Sequence, residues 1–174
     1  AKSAEVELSF KYFIDKKAPV SGRCSVLDLD CCFKGTKKRG EKMVFELGVN
    51  VPFTSLCPCS KEISAYGAHN QRSICRTKAR FHEGTECIFI EDLAALIEQQ
   101  GSSPIYPLLK REDEKYVTEA AYDNPKFVED ILRDTVLALR GLPGIAWFSI
   151  ECENYESIHN HNAFAAHEEK VAQP

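Results

Sequence analysis

The chain has 174 residues, of which 44% are hydrophobic, and its formal net charge is −4. A chain of this length and composition can bury a substantial core, so it does not need disulfide bonds to fold. The negative balance excludes a global positive field that would hold nucleic acid or an anionic membrane, so any anionic ligand must be bound by local cations.

Hydropathy and cysteine usage indicate a soluble protein of a reducing compartment. No apolar run reaches the roughly 18 to 20 residues that span a bilayer, and the first ten residues lack the apolar centre of a secretory signal. The eight cysteines are irregularly spaced, which favours reduced thiols over a disulfide framework. We therefore expect a cytoplasmic protein that binds neither nucleic acid nor membrane.

The first half of the chain has the alternation that is typical of antiparallel strands. Residues Val6 to Ile14 and Met43 to Val51 alternate apolar and polar side chains cleanly, and Arg23 to Phe33 does so loosely. A charged turn with a glycine over Lys34 to Glu41 predicts a hairpin between the second and third strands. The third strand is expected to end at Pro52.

The next segment combines weaker strand signals with a helix. Arg72 to Phe81 is a strand candidate, and Cys87 to Ile90 is expected to extend it or pair with it. The acidic pair Glu91 and Asp92 predicts the start of an amphipathic helix, because carboxylates stabilise the positive end of a helix. Gly101 is expected to end that helix.

A second helix is predicted with Asn124 as its cap and Pro125 as its first residue. Its expected buried stripe consists of Phe127, Ile131, Leu132, Thr135, Val136 and Leu139. A final strand follows over Ile145 to Glu153, and the tail beyond His167 is expected to fray. The pattern predicts one compact α+β unit over residues 1–174 with mostly antiparallel strands.

Thr54 to Arg72 is the segment with the densest chemistry. It contains Cys57, Cys59 and His69, and a thiolate and an imidazole are ligands that one divalent metal can share. The two cysteines form Cys-x-Cys without a second pair at zinc-ribbon spacing, which favours an open, mixed site over a closed site of four thiolates.

Two further polar segments, Leu109 to Glu119 and Glu151 to His161, flank regular elements. If the sheet brings these ends together, Cys57, a glutamate and either His159 or His161 supply three ligands to one cation. The alternatives are ordinary ones: small buried thiols, a structural histidine at position 69, a solvated charged loop over 109–119, and a solvated chain end at the two later histidines.

Residues 51–64, VPFTSLCPCSKEIS, and 66–72, YGAHNQR, resemble the signature of the type IB GTP cyclohydrolases. Further similarity lies in residues 18–22, 108–119, 124–130 and 156–161, so the resemblance covers nearly the whole chain. It implies a tunnelling fold, in which antiparallel sheets backed by helices assemble into a barrel, here a homo-oligomer (tetramer) with active sites between subunits. It also implies that a further N-terminal segment precedes the first strand in full-length members.

The activity that the resemblance implies is hydrolysis of the guanine imidazole ring of GTP. The products are formate and 7,8-dihydroneopterin triphosphate, a pterin for folate-type or modified-base pathways. Two alternatives stay open: a related cyclohydrolase that yields a cyclic-phosphate pterin, and a non-catalytic module that holds a structural metal.

The resemblance also assigns roles to residues. Cys57, Glu114 and His159 resemble the ligands of a divalent metal, zinc or manganese with iron as a third candidate. His69 resembles the histidine that acts as acid or base, so that His69 and Cys57 are the catalytic pair. Glu129, or alternatively Glu156, resembles the carboxylate that anchors the purine. The candidate cations for the triphosphate are Lys61, Arg72, Lys110, Arg111 and Lys115.

Overall fold

A computed structural model of the protein describes residues 2–85 and 88–171. The elements in chain order are β1 Ser3–Lys17, β2 Cys24–Lys38, β3 Met43–Leu56, α1 Pro58–Ile63, β4 Asn70–Phe81, α2 Ile90–Glu98, β5 Ser103–Pro104, α3 Arg111–Asp123, α4 Val128–Arg140, β6 Ile145–Asn154 and β7 Ala163–Lys170. No helix among the described residues is long and apolar enough to cross a membrane.

The strands form one antiparallel sheet in the order β1-β2-β3-β4-β6-β7, with the short β5 added to β3. The predicted α+β class with antiparallel strands is therefore confirmed. Helix α2 packs on β3, and α4 packs on β6 and β7. Side chains such as Phe53 and Phe148 from the sheet meet Leu93 and Ile131 from the helices in a fully buried core, because each element presents one apolar face.

The strands are longer than the sequence pattern predicted. Strand β2 continues through the predicted turn to Lys38, since charged side chains on its exposed face pair across strands, as Lys34 does with Glu5 at 2.9 Å. Strand β3 does not end at Pro52 but continues to Leu56. Pairing of β3 with β2 stops at Asn50, so Pro52 lies where the strand has lost one neighbour and a missing N–H costs little.

The charged segment for which a solvated loop was one alternative is instead helix α3 from Arg111 onward. Three acidic residues in its first turn complement the helix dipole, and the Asp113 carboxylate accepts a hydrogen bond from the Lys110 N–H at 2.9 Å. The interpretation as a solvated loop was wrong, because local charge density does not reveal the buried face that the helix lays against β3 and β5.

The following helix starts later than predicted. Asn124 caps the carboxyl end of α3, and its side chain donates to the Gly101 carbonyl at 2.9 Å. Helix α4 begins at Val128, where Asp130 accepts a hydrogen bond from the Phe127 N–H at 3.1 Å. Its buried stripe is as predicted over Ile131, Thr135, Val136 and Leu139, with Leu132 partly buried, whereas Phe127 is exposed.

Two further predictions need correction. Residues 168–170, which were expected to fray, belong to β7, which pairs with β6 as far as Lys170; residues 172–174 lie outside the described residues. The strand predicted over residues 87–90 is not formed in its described part, because Ile90 already belongs to α2; Cys87 lies outside the described residues. The prediction of reduced cysteines agrees with the seven described thiols, which are unbridged.

Candidate functional site

The loop between β3 and β4 is held closed by main-chain hydrogen bonds. The Cys57 N–H donates to the His69 carbonyl at 3.1 Å, so the two residues lie side by side where β3 leaves the sheet and β4 enters it. Cys57 also caps the one-and-a-half-turn helix α1, and its sulfur accepts from the Ser60 N–H at 3.4 Å. Cys57 is half-buried, whereas Cys59, inside α1, is exposed.

Two other chain segments are tied to the same place. The Lys126 N–H donates to the Leu56 carbonyl at 3.0 Å, which brings the start of α4 beside Cys57. The Tyr155 N–H donates to the Arg72 carbonyl at 3.0 Å, which brings the end of β6 beside the start of β4. Because neighbouring strands are antiparallel, the end of β3, the start of β4 and the end of β6 lie at the same end of the sheet, so residues distant in sequence meet there.

These segments enclose a cavity of about 200 Å³. Both candidate purine-anchoring carboxylates, Glu129 and Glu156, line it together with Cys57. The rest of its lining consists of Pro58, Gln71, Lys126, Phe127, Val128, Asn154 and Ala163. A thiol, two carboxylates and several hydrogen-bonding groups therefore face one small space.

The histidines extend this cluster. His69 Nδ1 lies 3.9 Å from Glu156 Oε2, and the two side chains are only 10% and 14% exposed. The ring centroid of His69 is 6.4 Å from that of His159, which stacks on His161 at 5.1 Å. His159 and His161 are in the turn after β6 rather than in a strand, so both rings are exposed next to His69.

The predicted metal set is not assembled within one chain. Glu114 is exposed on α3 and pairs with Arg111 at 3.0 Å. Helix α3 reaches the cysteine loop at Tyr122, whose carbonyl accepts a hydrogen bond from Lys61 Nζ at 2.5 Å. Tyr122 is eight residues from Glu114, or about 12 Å along the helix. Within residues 2–85 and 88–171, no three His, Cys, Asp or Glu side chains are grouped to hold one metal ion.

The donors that do meet are suited in kind to a transition metal, because a thiol and imidazoles are the ligands that zinc prefers. Cys57 lies beside His69, and His69 lies beside His159. Glu114, the carboxylate of the predicted set, does not lie with these donors in one chain. The assignment of Cys57, Glu114 and His159 as ligands therefore stays a prediction.

None of the five predicted phosphate-binding cations lines the cavity. Lys61 is held over the Tyr122 ring at 4.2 Å, and Lys115 lies 3.8 Å from Glu119. Arg72, Lys110 and Arg111 are exposed. The cation that lines the cavity is Lys126, which forms an ion pair with Asp134.

Sequence reasoning did not single out Lys126, Gln71 or Asn154 as site residues. Gln71 and Lys126 lie inside segments already noted for their resemblance, 66–72 and 124–130, so their position was a usable signal. Asn154 ends β6 and is buried, and no local pattern marks it.

The fold and this cluster define an α+β protein whose polar site lies where β3, β4 and β6 meet at one edge of an antiparallel sheet. The chain belongs to the family of type I GTP cyclohydrolase folE2, whose model matches residues 1–165. The GTP cyclohydrolase FolE2 of Geobacter metallireducens is 57% identical over 166 residues, or 95% of this chain and 62% of that protein. The FolE2 proteins of Pelobacter propionicus and Geobacter sulfurreducens are each 56% identical, over 94% and 97% of this chain.

The chain spans only part of these relatives. It covers 62% of the Pelobacter propionicus protein and 64% of the Geobacter sulfurreducens protein. Their name describes the relatives.

Proposed function

We propose that the chain is the catalytic unit of a metal-dependent GTP cyclohydrolase, which opens the guanine imidazole ring of GTP and yields formate and 7,8-dihydroneopterin triphosphate. The observation that carries this proposal is that Cys57, Glu129 and Glu156 line one cavity, with His69 Nδ1 3.9 Å from Glu156 Oε2, in a chain of this family. A purine needs an acceptor for its ring donors, and ring opening needs a proton carrier. Both kinds of group are present.

Glu129 is the proposed anchor of the purine. Its carboxylate would accept hydrogen bonds from the guanine N1–H and exocyclic amine, a bidentate arrangement that selects guanine over adenine. Glu156 is the weaker candidate, because it lies against His69, whereas Glu129 forms no ion pair with any described residue. Glu156 instead stabilises the imidazole as it gains a proton.

His69 is the proposed proton carrier. A largely buried imidazole next to a carboxylate can take a proton from the attacking water and return it to the departing ring nitrogen. The main-chain hydrogen bond between His69 and Cys57 holds the two residues side by side.

Cys57, Glu114 and His159 would hold the divalent metal, zinc or manganese with iron as a third candidate. When bound, such an ion supplies Lewis acidity that activates water and polarises the reacting ring. Because Glu114 lies about 12 Å along α3 from the cysteine loop, we propose that it reaches the site of a neighbouring subunit. This requires the tunnelling-fold barrel, a homotetramer with active sites between subunits.

An interface site also accounts for the exposed cations. The triphosphate would be bound by lysine and arginine side chains that two subunits bring together, which agrees with the exposure of all candidates except the half-buried Lys61 in one chain. The candidates are Lys61, Arg72, Lys110, Arg111 and Lys115.

The test is incubation of the full chain with GTP and either zinc or manganese, followed by assays for formate and for a fluorescent pterin after oxidation. Formate with 7,8-dihydroneopterin triphosphate is the expected result. A cyclic-phosphate pterin would instead identify the related cyclohydrolase. If the chain yields no formate with either metal and unfolds on chelation, a structural metal module is the better description.

A further inference from the structure

A buried polar network lies directly behind His69. Ser55, Gln71 and Ser73 are 0%, 7% and 1% exposed, on neighbouring strands β3 and β4. Gln71 Nε2 donates to Ser55 Oγ at 2.9 Å, and Ser73 Oγ donates to the same oxygen at 2.8 Å. Buried polar groups cost free energy unless they are paired, so a network of this kind holds its members in one arrangement.

This arrangement aims the other end of the Gln71 amide at the histidine. With Nε2 bound to Ser55, the Gln71 Oε1 atom faces His69 Nδ1 at 2.8 Å. An amide oxygen can only accept a hydrogen bond. The ring nitrogen opposite it must therefore be the donor.

A second observation agrees with this direction. Glu156 Oε2 lies 3.9 Å from His69 Nδ1. A carboxylate oxygen also favours a proton on the nitrogen that it faces. Two independent acceptors, from β4 and from the turn after β6, thus lie on the Nδ1 side of the ring.

We propose that Gln71 is a positioning residue that fixes His69 as the Nδ1–H tautomer and leaves Nε2 as the proton acceptor for the reaction. Nε2 takes a proton from water and returns it to the departing ring nitrogen, while Nδ1 keeps its own proton bound to Gln71. The catalytic part rests on the proposed function, whereas the tautomer itself does not.

The first experiment reads the tautomer without any turnover. Nitrogen-15 NMR of histidine-labelled, metal-free protein is recorded, and His69 is assigned from the spectrum of His69→Gln. We expect a protonated Nδ1 and an unprotonated Nε2 in the wild type. A protonated Nε2 in the wild type would mean that the Gln71 amide is turned the other way, and the proposal would fail.

Two substitutions at one position separate tautomer control from stability. Gln71→Glu keeps an acceptor at His69 Nδ1, so the Nδ1–H form should persist. Gln71→Leu removes the acceptor and should release a second population with the proton on Nε2. An unchanged tautomer in folded Gln71→Leu would overturn the role of Gln71, and the wild-type spectrum decides the assignment if that variant does not fold.

Kinetics then test the catalytic part. In Gln71→Leu, kcat for formate release should fall at least about tenfold, as expected when general acid–base catalysis is impaired, with KM for GTP changed less than kcat. Gln71→Glu should retain more of kcat than Gln71→Leu. If wild-type protein has the Nδ1–H tautomer but does not turn over GTP, the proposed function fails and the tautomer assignment stands.

Discussion

Two cysteines only two residues apart, Cys57 and Cys59, differ in burial and in hydrogen bonding. Cys57 is half-buried, lines the cavity and accepts a hydrogen bond from the Ser60 N–H on its sulfur. Cys59 is exposed on α1. The pair therefore offers a matched test of the metal assignment at the scale of single residues.

We expect Cys57→Ala to lose bound zinc or manganese and Cys59→Ala to retain it. Loss of an outer-shell partner of a metal already weakens affinity about 10- to 100-fold, so loss of a ligand should cost at least as much. Metal content after dialysis and formate release measure the two effects. A Cys57→Ala protein with wild-type metal content would contradict the assignment.

At the scale of elements, the edge strand β1 is joined to helix α2 by an ion pair. Lys16 Nζ lies 2.6 Å from Glu98 Oε2, and the side chains are only 11% and 8% exposed. Burial raises the pKa of Glu98, and Lys16 opposes that effect. The charges are tolerated because they compensate one another.

Lys16→Met should therefore destabilise the protein by about 3 kcal/mol, since it leaves a buried carboxylate without its partner. The double variant Lys16→Met, Glu98→Met removes both charges and should recover most of that loss. Urea unfolding of the wild type and both variants gives the comparison. A double variant no more stable than Lys16→Met would show that the unpaired Glu98 carboxylate is not the cause of the loss, and the difference between the double variant and the wild type gives the net contribution of the pair.

Helix α3 is anchored to the turn after β1 by the buried Asp113 carboxylate. It accepts from the N–H groups of Val20, Ser21 and Lys110 and from the Ser21 hydroxyl at 2.6 to 2.9 Å. Burial alone would raise the pKa of Asp113, but these hydrogen bonds outweigh it and hold the pKa well below its usual range.

This lowered pKa predicts a pH-dependent anchor. Folding depresses the pKa of this carboxyl group below its unfolded value, which is about 3.9 for aspartate. Such a group stabilises the native state at any pH above that unfolded pKa. The stabilisation is lost as the pH falls toward the pKa of the folded state. The free energy of unfolding of Asp113→Asn should thus fall below the wild-type value at pH 7, and the difference should shrink below about pH 4. The neighbouring exposed substitution Glu112→Gln is the control and should change stability little. If Asp113→Asn differs from the wild type by the same free energy of unfolding at pH 7 and below about pH 4, the pH-dependent anchor is refuted.

At the scale of the whole molecule, the proposed metal site spans two subunits. Cys57 and His159 are joined through His69 in one chain, whereas Glu114 is on a different part of the surface. Variants that damage opposite halves of such a site can complement each other in a mixed oligomer.

Cys57→Ala and Glu114→Gln should each be inactive alone and should regain activity when co-expressed. Random assembly would give about a quarter of the sites an intact Cys57 and an intact Glu114 from different subunits. Cys57→Ala mixed with His159→Ala is the control. Both residues come from the same chain at each site, so no subunit in this mixture supplies Cys57 and His159 together. Absence of recovery in the first mixture, with oligomers demonstrably mixed, would rule out an intersubunit site.

Local sequence patterns were sufficient to predict several of the strands and one of the helices. The alternation in β1, β3 and β6 and the apolar stripe of α4 depend on which face a side chain takes, a property of the backbone period alone. The segments around Cys57 and His69 were likewise recognisable as a site, because clustered thiols, imidazoles and cations have no packing role that would explain them.

The remaining features depend on partners that are distant in sequence. Pro52 stays in β3 because the pairing of β3 with β2 stops at Asn50, and residues 111–119 are helical because one face lies against β3 and β5. Neither neighbour can be read from the segment itself.

The sequence by itself determined the antiparallel α+β class, the family and the chemical types in the site. Only the tertiary structure decided which of them meet: Glu129 and Glu156 share a cavity with Cys57, Glu114 does not join them in one chain, and Gln71 turns its amide oxygen to His69. The physical reason is that periodicity and composition act over a few residues, whereas a site is made by strand register and packing between segments up to a hundred residues apart.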